Sequence, residues 1–288
     1  VTLLADAPFL APAPAAVMAR ARTENFPVAS RLLGRAVRAH LLAIYGFARL
    51  VDELGDSAAG DRPAALDWLE SELDAAFAGR ARHELLVRLT PTLRECGLER
   101  GPFLRLIEAN RLDQRRSRYA TWQELRAYCA LSADPVGELV LAVLGCSTPS
   151  RVELSDSICT ALQLTEHCQD VAEDHRAGRV YLPLEDLARF GCAIEDLGGS
   201  SAGGPLRAVL AFEVARARGL FEEGAPLIGE LRGRPRLAVA AFVAGGRSAL
   251  DAIERADYEV MGGPPPVSRR RLLGALGRTM LAPQARRR

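Results

Sequence analysis

Lysine is absent from this 288-residue chain; every one of its 37 basic residues is arginine. Schiff-base catalysis, anchoring of pyridoxal phosphate and a Walker-type phosphate loop all need a lysine, so these chemistries are excluded. Phosphate, if it is handled, must be held by arginine, backbone N–H groups or metal. The six cysteines (Cys96, Cys129, Cys146, Cys159, Cys168, Cys192) form no C-x-x-C pair, which argues against a zinc site or a disulfide framework and for buried thiols in a reducing cytosol. None of the four histidines (His40, His83, His167, His175) has a glutamate three places before it, so the ligand pattern of a di-iron bundle is missing. There is no G-x-G-x-x-G loop for a dinucleotide. The stretch Gly199 to Gly203 spells G-x-S-x-G, but it sits among small residues with no strand before it, so a serine-hydrolase elbow is not expected. Apolar runs such as Leu139 to Cys146 fall far short of the roughly 20 residues that span a bilayer, and Val1 to Pro14 lacks the basic region of a signal peptide.

What the chain does contain is helical periodicity. Hydrophobic residues make up 49% and charged residues 25%, the balance of a globular protein. The formal net charge is +1, which gives no global field toward nucleic acid. The arginines at 269–271 and 286–288 read as a solvated tail. Apolar residues recur at helical spacing, broken by Pro and Gly, and predict helices near 36–56, 63–79, 83–95, 101–112, 121–145, 149–176, 205–230 and 235–260, with a shorter one near 267–279. Asp61-Arg62-Pro63 and Ser147-Thr148-Pro149 have the form of helix starts. No period-two strand pattern occurs. The expected class is all-α: a flexible segment over 1–15, one helical domain over 16–262, and a helix with an arginine-rich tail over 263–288.

Two of these helices carry the same chemical pattern. In LLAIYGFARLVDELGD (41–56) the helix is apolar nearly all round except for Tyr45, Arg49, Asp52 and Asp56, which share one face. In ICTALQLTEHCQDVAED (158–174) the corresponding stripe is Gln163, Glu166, Asp170 and Asp174. An acid four places after another is weak evidence alone, since 36 acids in 288 residues produce such pairs by chance; Glu70 and Asp74 form one on a solvated face. The apolar context changes the odds. Like charges at i and i+4 repel, and more strongly where water is excluded, so a buried helix keeps such a pair only with a compensating cation. Arg49, three places before Asp52, offers a purely structural compensation. A hard divalent ion offers the other: Mg²⁺ binds through one or two carboxylates and completes its octahedron with water and substrate phosphate. The metal is the favoured reading, with both stripes arranged around a diphosphate.

The blocks YGFARLVDELGD (45–56) and ALQLTEHCQDVAEDHRAGRVYLP (161–183) resemble the two aspartate-rich signatures of the squalene and phytoene synthase family. ENFPVASRLL (24–33) and RYATWQELRAYCALSADPVGELVLAVLG (118–145) extend the resemblance over about 23–260, and ENFPVAS and SADPVG are similar to the hopanoid-pathway branch that includes hydroxysqualene synthase. The resemblance implies an isoprenoid synthase fold, a single large helical bundle around a central cavity, and head-to-head prenyl chemistry. In the hydroxysqualene branch, presqualene diphosphate ionises, its cation rearranges and water captures it. The alternative within the class is a synthase that condenses two prenyl diphosphates to presqualene diphosphate, squalene, dehydrosqualene or phytoene. An alternative of another class is a non-catalytic helical scaffold.

Carried onto this chain, the resemblance makes Asp52, Asp56, Asp170 and Asp174 Mg²⁺ ligands and puts Tyr45 and Arg49 at the pocket and diphosphate. Gln163 lines the pocket, Arg179 and Tyr181 approach the diphosphate, and Phe26 and Tyr128 are cavity-wall aromatics. Two positions depart from the family pattern. Glu53 follows Asp52 where a second aspartate is common, and Glu166 stands where asparagine is usual, either as a metal ligand or as a group that orients water. The cofactor implied is Mg²⁺ and the partner a prenyl diphosphate, with no nucleic acid. The expected location is the cytoplasm. Transient contact with the inner membrane face is compatible with so apolar a product, although no amphipathic anchor stands out in the sequence.

Overall fold

The computed structural model describes residues 12–19, 33–57 and 60–281. In chain order the helices are α1 (Pro14–Ala19), α2 (Arg35–Asp52), a π-turn (Glu53–Ser57), α3 (Arg62–Phe77), α4 (Glu84–Glu95), α5 (Arg100–Asp113), α6 (Trp122–Ser132), α7 (Asp134–Val143), α8 (Pro149–Gln169), α9 (Val171–Arg176), α10 (Leu184–Arg189), a 3₁₀ turn (Ile194–Gly198), α11 (Gly204–Gly224), α12 (Pro226–Glu230), α13 (Gly233–Arg255) and α14 (Arg269–Leu281). The described residues contain no β-sheet; Arg118 and Val180 pair in an isolated parallel bridge. The class is all-α, as the periodicity requires. No helix among the described residues is long and apolar enough to cross a membrane.

The chain divides into two compact units, residues 1–115 with 135–148, and residues 116–134 with 149–288. In the first, α2 presents Leu41, Ile44, Phe47 and Leu50, all buried, to the neighbouring helices α4 and α5. Phe47 meets Phe103 of α5 edge-on, with centroids 5.0 Å apart, the favourable quadrupolar arrangement. Asp61 caps α3, its carboxylate accepting from the Ala64 N–H at 3.0 Å, with Pro63 in the first turn as the sequence indicates. In the second unit α8 packs along α11, and α13 joins both. Asp134 is buried there: Arg126 donates to one carboxylate oxygen at 2.8 Å and the Thr160 hydroxyl to the other at 2.9 Å.

The departures from the expected helix limits have local causes. The single helix read over 121–145 is two, α6 and α7, because Pro135 has no N–H to continue the ladder. Pro226 likewise separates α11 from α12 within the stretch read as 205–230. The helix read to 260 ends at Arg255, where Asp257 and Tyr258 take positive φ of 52° and 59° and the Tyr258 N–H closes back on the Ile253 carbonyl at 2.9 Å. Three short elements, α1, α10 and the 3₁₀ turn, lie where no helix was read; five or six residues are too few for an apolar period to show.

Candidate active site

The first acidic stripe lies on α2 and the turn that follows it. Tyr45 and Arg49 project from the half-buried side of the helix, and Asp52 is its last residue. The expected α-helix to residue 56 instead relaxes into a π-turn over Glu53–Ser57, a geometry that favours functional sites because it re-aims side chains within a helix. The turn is held from α5: the Gln114 side-chain amide donates to the Gly55 carbonyl at 2.9 Å, and the Asn110 amide donates to Asp52 at 3.4 Å. Gly55 is required there, since a Cβ on it would lie 2.1 Å from Asn110 Oδ1. Arg49 stands 3.7 Å from Asp52 and 3.4 Å from Glu53. Glu53, off the stripe in the sequence reading, is thus the nearer of its two carboxylate partners, and at 16% side-chain exposure the more buried one. Asp52 remains 48% exposed and Asp56 is exposed. Arg49 does not use all its donors: its Nε is buried without a hydrogen-bond partner.

The second stripe lies at the junction of α8 and α9. Read from sequence as one helix over 149–176, the segment bends at Asp170, whose φ and ψ are −103° and 15°. The hydrogen bonds survive the bend: the Asp170 N–H reaches the Glu166 carbonyl at 2.9 Å and the Asp174 N–H reaches the Asp170 carbonyl at 2.8 Å. The one-turn spacing of Glu166, Asp170 and Asp174 is therefore kept. Burial, and then the neighbouring Glu173, push the Asp170 carboxyl up to about 6. Helix α9 ends in a left-handed Gly178 at φ 79°, with Gly178 N–H on the His175 carbonyl at 2.9 Å and Arg179 N–H on the Asp174 carbonyl at 2.8 Å. This Schellman closure folds Arg179 back on Asp174, with Nε 3.8 Å from Oδ1.

Beyond Arg179 the chain runs beside residues 117–122, Val180 N–H bonding the Ser117 carbonyl and Leu184 N–H the Tyr119 carbonyl. This places Tyr181 in a group of four buried rings. It stacks on His167 at 4.2 Å and on Tyr128 at 5.4 Å, and Tyr119 lies 5.2 Å from Tyr128. Gln163 faces His167, the amide nitrogen and ring Nε2 being 3.4 Å apart. Burial, and then the charge of Arg179, depress His167 to about 3, so the ring is neutral. Sequence reasoning named Tyr128, Gln163, Glu166, Arg179 and Tyr181, and all five lie in this unit. It did not name His167 or Tyr119 as site residues, because ring stacking leaves no mark in local spacing. Phe26 lies outside the described residues.

The residues fit the groups the pattern implies. Among the described residues no three His, Cys, Asp or Glu side chains gather into a metal cage. Mg²⁺ needs no such cage, because it binds through one or two carboxylates and fills its remaining positions with water and phosphate. Both stripes offer oxygen only, and Asp170 is a desolvated carboxylate beside another acid, a place that a cation stabilises. The orphaned Arg49 Nε is a donor awaiting an anion. The six cysteines are free; burial pushes Cys129 up to about 12 and Cys192 to about 11, so neither is a nucleophile.

Comparison with known proteins gives a consistent assignment. The profile described as squalene/phytoene synthase matches residues 19–271. A 15-cis-phytoene synthase of Synechocystis is 36% identical over 251 residues, 82% of this chain and 74% of that protein. A hydroxysqualene synthase of Rhodopseudomonas palustris is 37% identical over 213 residues, 73% of this chain and 72% of that protein. The crystal structure of the squalene synthase HpnC from Alicyclobacillus acidocaldarius superposes with a TM-score of 0.77 at 46% identity, covering 84% of this chain and 92% of that one.

Proposed function

Since the chain belongs to the squalene/phytoene synthase family and is an enzyme of the head-to-head isoprenoid synthase type, we propose that it condenses two prenyl diphosphates into a squalene-class product. The allylic C–O bond of one substrate breaks with its electron pair leaving on diphosphate, the double bond of the second attacks the resulting carbocation, and loss of a proton from the adduct closes a cyclopropylcarbinyl diphosphate. Its own C–O bond then breaks to release the second diphosphate, and a final proton loss from the rearranged cation gives a dehydrosqualene- or phytoene-type hydrocarbon. When bound, Mg²⁺ neutralises charge that grows on the departing diphosphate. By the family resemblance, Asp52, Asp56, Asp170 and Asp174 would be the residues that hold it. Arg49 and Arg179 take phosphate oxygens, for which a planar guanidinium is suited. The π faces of Tyr128 and Tyr181 stabilise positive charge without offering a nucleophile. His167, being neutral, adds no opposing charge, and the buried rings keep bulk water from the cation.

One observation carries this reading: in the second unit the desolvated Asp170 lies one turn before Asp174, which adjoins Arg179, whose charge reaches the ring stacked on Tyr181. A polar leaving-group end and an aromatic wall thus meet within a few residues. The names of the relatives support condensation, phytoene and squalene synthases among them. A second reading, ionisation of presqualene diphosphate and capture by water to give hydroxysqualene, is favoured by the hydroxysqualene synthase relative and by the ENFPVAS and SADPVG segments.

The test supplies the purified protein with Mg²⁺ and either farnesyl or presqualene diphosphate, without NADPH, and identifies products by mass spectrometry. Presqualene diphosphate or a condensed hydrocarbon from farnesyl diphosphate supports condensation. Hydroxysqualene from presqualene diphosphate, with farnesyl diphosphate untouched, replaces it by the second reading. No diphosphate release from either contradicts both.

A further inference from the structure

Helix α14 has one face against its unit and another with no protein partner in the described residues. Ala275 and Thr279 are buried, and with Leu272 and Leu276 they form the inward stripe beside α13, where Arg236 donates to the Met280 carbonyl at 3.1 Å. The opposite face carries Leu273 and Leu281, which are 68% and 85% exposed, with Arg270 one turn before Leu273 and Arg271 and Arg278 on the flank. Exposed single leucines are ordinary. Here, however, four large hydrophobic residues are exposed among the described residues, and three of them, Val267, Leu273 and Leu281, fall within this one segment.

Charge distinguishes the face further. Residues 260–288 contain seven arginines and no acid, whereas the preceding 259 residues contain 30 arginines against 36 acids. The near-zero net charge of the whole chain therefore conceals a strongly basic end on an acidic body. Among the described residues Arg269, Arg270, Arg271 and Arg278 enter no ion pair, whereas Arg100 and Arg218 each bind two carboxylates and Arg111 three. These four are left for an external anion.

We propose that the outer face of α14 docks the protein on an anionic lipid bilayer, with Leu273 and Leu281 entering the acyl boundary and the surrounding arginines lying at the headgroups. A basic helix that binds RNA has no use for two exposed leucines on the same face, whereas an interfacial helix requires apolar and cationic groups together. The contact is peripheral, since no described helix can span the bilayer. It suits a reaction whose product is too apolar for water, but it does not depend on which product is made.

Cosedimentation of the full chain with vesicles tests this, using phosphatidylglycerol mixed with phosphatidylcholine against phosphatidylcholine alone, with no substrate present. Binding to the anionic vesicles only, falling as salt is raised, is the expected result. The triple variant Arg269→Gln, Arg270→Gln, Arg271→Gln is expected to bind on the order of a hundredfold more weakly, and Leu273→Ser with Leu281→Ser roughly tenfold more weakly. Circular dichroism and diphosphate release in detergent identify any variant that has misfolded. Equal binding to both vesicle types, or anionic binding that survives both sets of substitutions, overturns the proposal, as does capture of RNA without vesicles. Loss of catalytic activity in the wild-type chain with vesicle binding intact counts against the catalytic reading alone.

Discussion

Replacing Gly55 by alanine should damage the first acidic stripe without touching a carboxylate. The new Cβ would lie 2.1 Å from Asn110 Oδ1, 2.9 Å from its Cγ and 3.1 Å from its Cβ. Turning the Asn110 side chain about its Cα–Cβ bond relieves the first two contacts but breaks its bond to Asp52, and the third persists. Overpacking of this kind costs about 1–3 kcal/mol. Alanine's advantage over glycine within a helical turn, about 1 kcal/mol, works against it. A net loss of about 1–2 kcal/mol is expected, a drop in melting temperature of roughly 2–6 °C for a chain of this size. Metal-dependent diphosphate release should fall by about tenfold or more, because a group orienting a ligand is displaced. In an Asn110→Ala background, Gly55→Ala should lose most of its stability penalty while activity stays low. The assay is a double-mutant cycle read by thermal melting and by phosphate detection after pyrophosphatase. Additive stabilities, or wild-type activity in Gly55→Ala, would refute the role given to the π-turn.

Three further outcomes follow from the second unit. Glu213 is buried, accepting from Arg216 at 2.6 and 2.7 Å, and Arg216 also pairs with Asp186 at 2.8 Å. Burial outweighs Arg216 and pushes the Glu213 carboxyl up to about 8. A carboxyl raised in the folded state contributes stability that is present in full below its unfolded value and is lost as pH rises toward 8, at up to about 1.4 kcal/mol per pH unit. Denaturant titrations at several pH values should show this slope in the wild type and a flatter profile in Glu213→Gln; parallel profiles would contradict it. Asp134→Ala strands Arg126 and Thr160 and should cost about 3 kcal/mol in urea unfolding, whereas a loss below about 1 kcal/mol would mean that water replaces the carboxylate. Gly178→Ala puts a Cβ on a left-handed residue and should cost about 1 kcal/mol. It should also weaken substrate binding, seen as a raised KM, by loosening Arg179 from Asp174, and an unchanged KM would argue against that coupling.

The helical class was legible because apolar spacing in α2, α8 and α13 is long and regular, and the capped start of α3 is written in Asp61 and Pro63. The acidic residues of both stripes were legible for the same reason: polar residues are conspicuous on an apolar helix. What local spacing did not convey arises from contacts distant in sequence. The π-turn depends on Asn110 and Gln114 reaching across from α5. The four-ring group depends on residues 117–122 pairing with 178–185. Burial makes His167 a neutral member of that stack, although by sequence it looks like a polar residue flanking the acidic stripe. The exposed leucines of α14 were not legible because arginines dominate the composition there, and only exposure distinguishes Leu273 and Leu281 from Leu272 and Leu276.

The central claim is that the paired aspartates hold magnesium against a departing diphosphate. Single-turnover diphosphate release from a labelled prenyl diphosphate, followed across a Mg²⁺ titration for wild type, Asp52→Asn and Asp170→Asn, tests it most directly. The account predicts release that vanishes without the metal and falls by orders of magnitude in each variant, with helical content and melting unchanged. Release at the wild-type rate in both folded variants, or a wild-type rate indifferent to Mg²⁺, would contradict it.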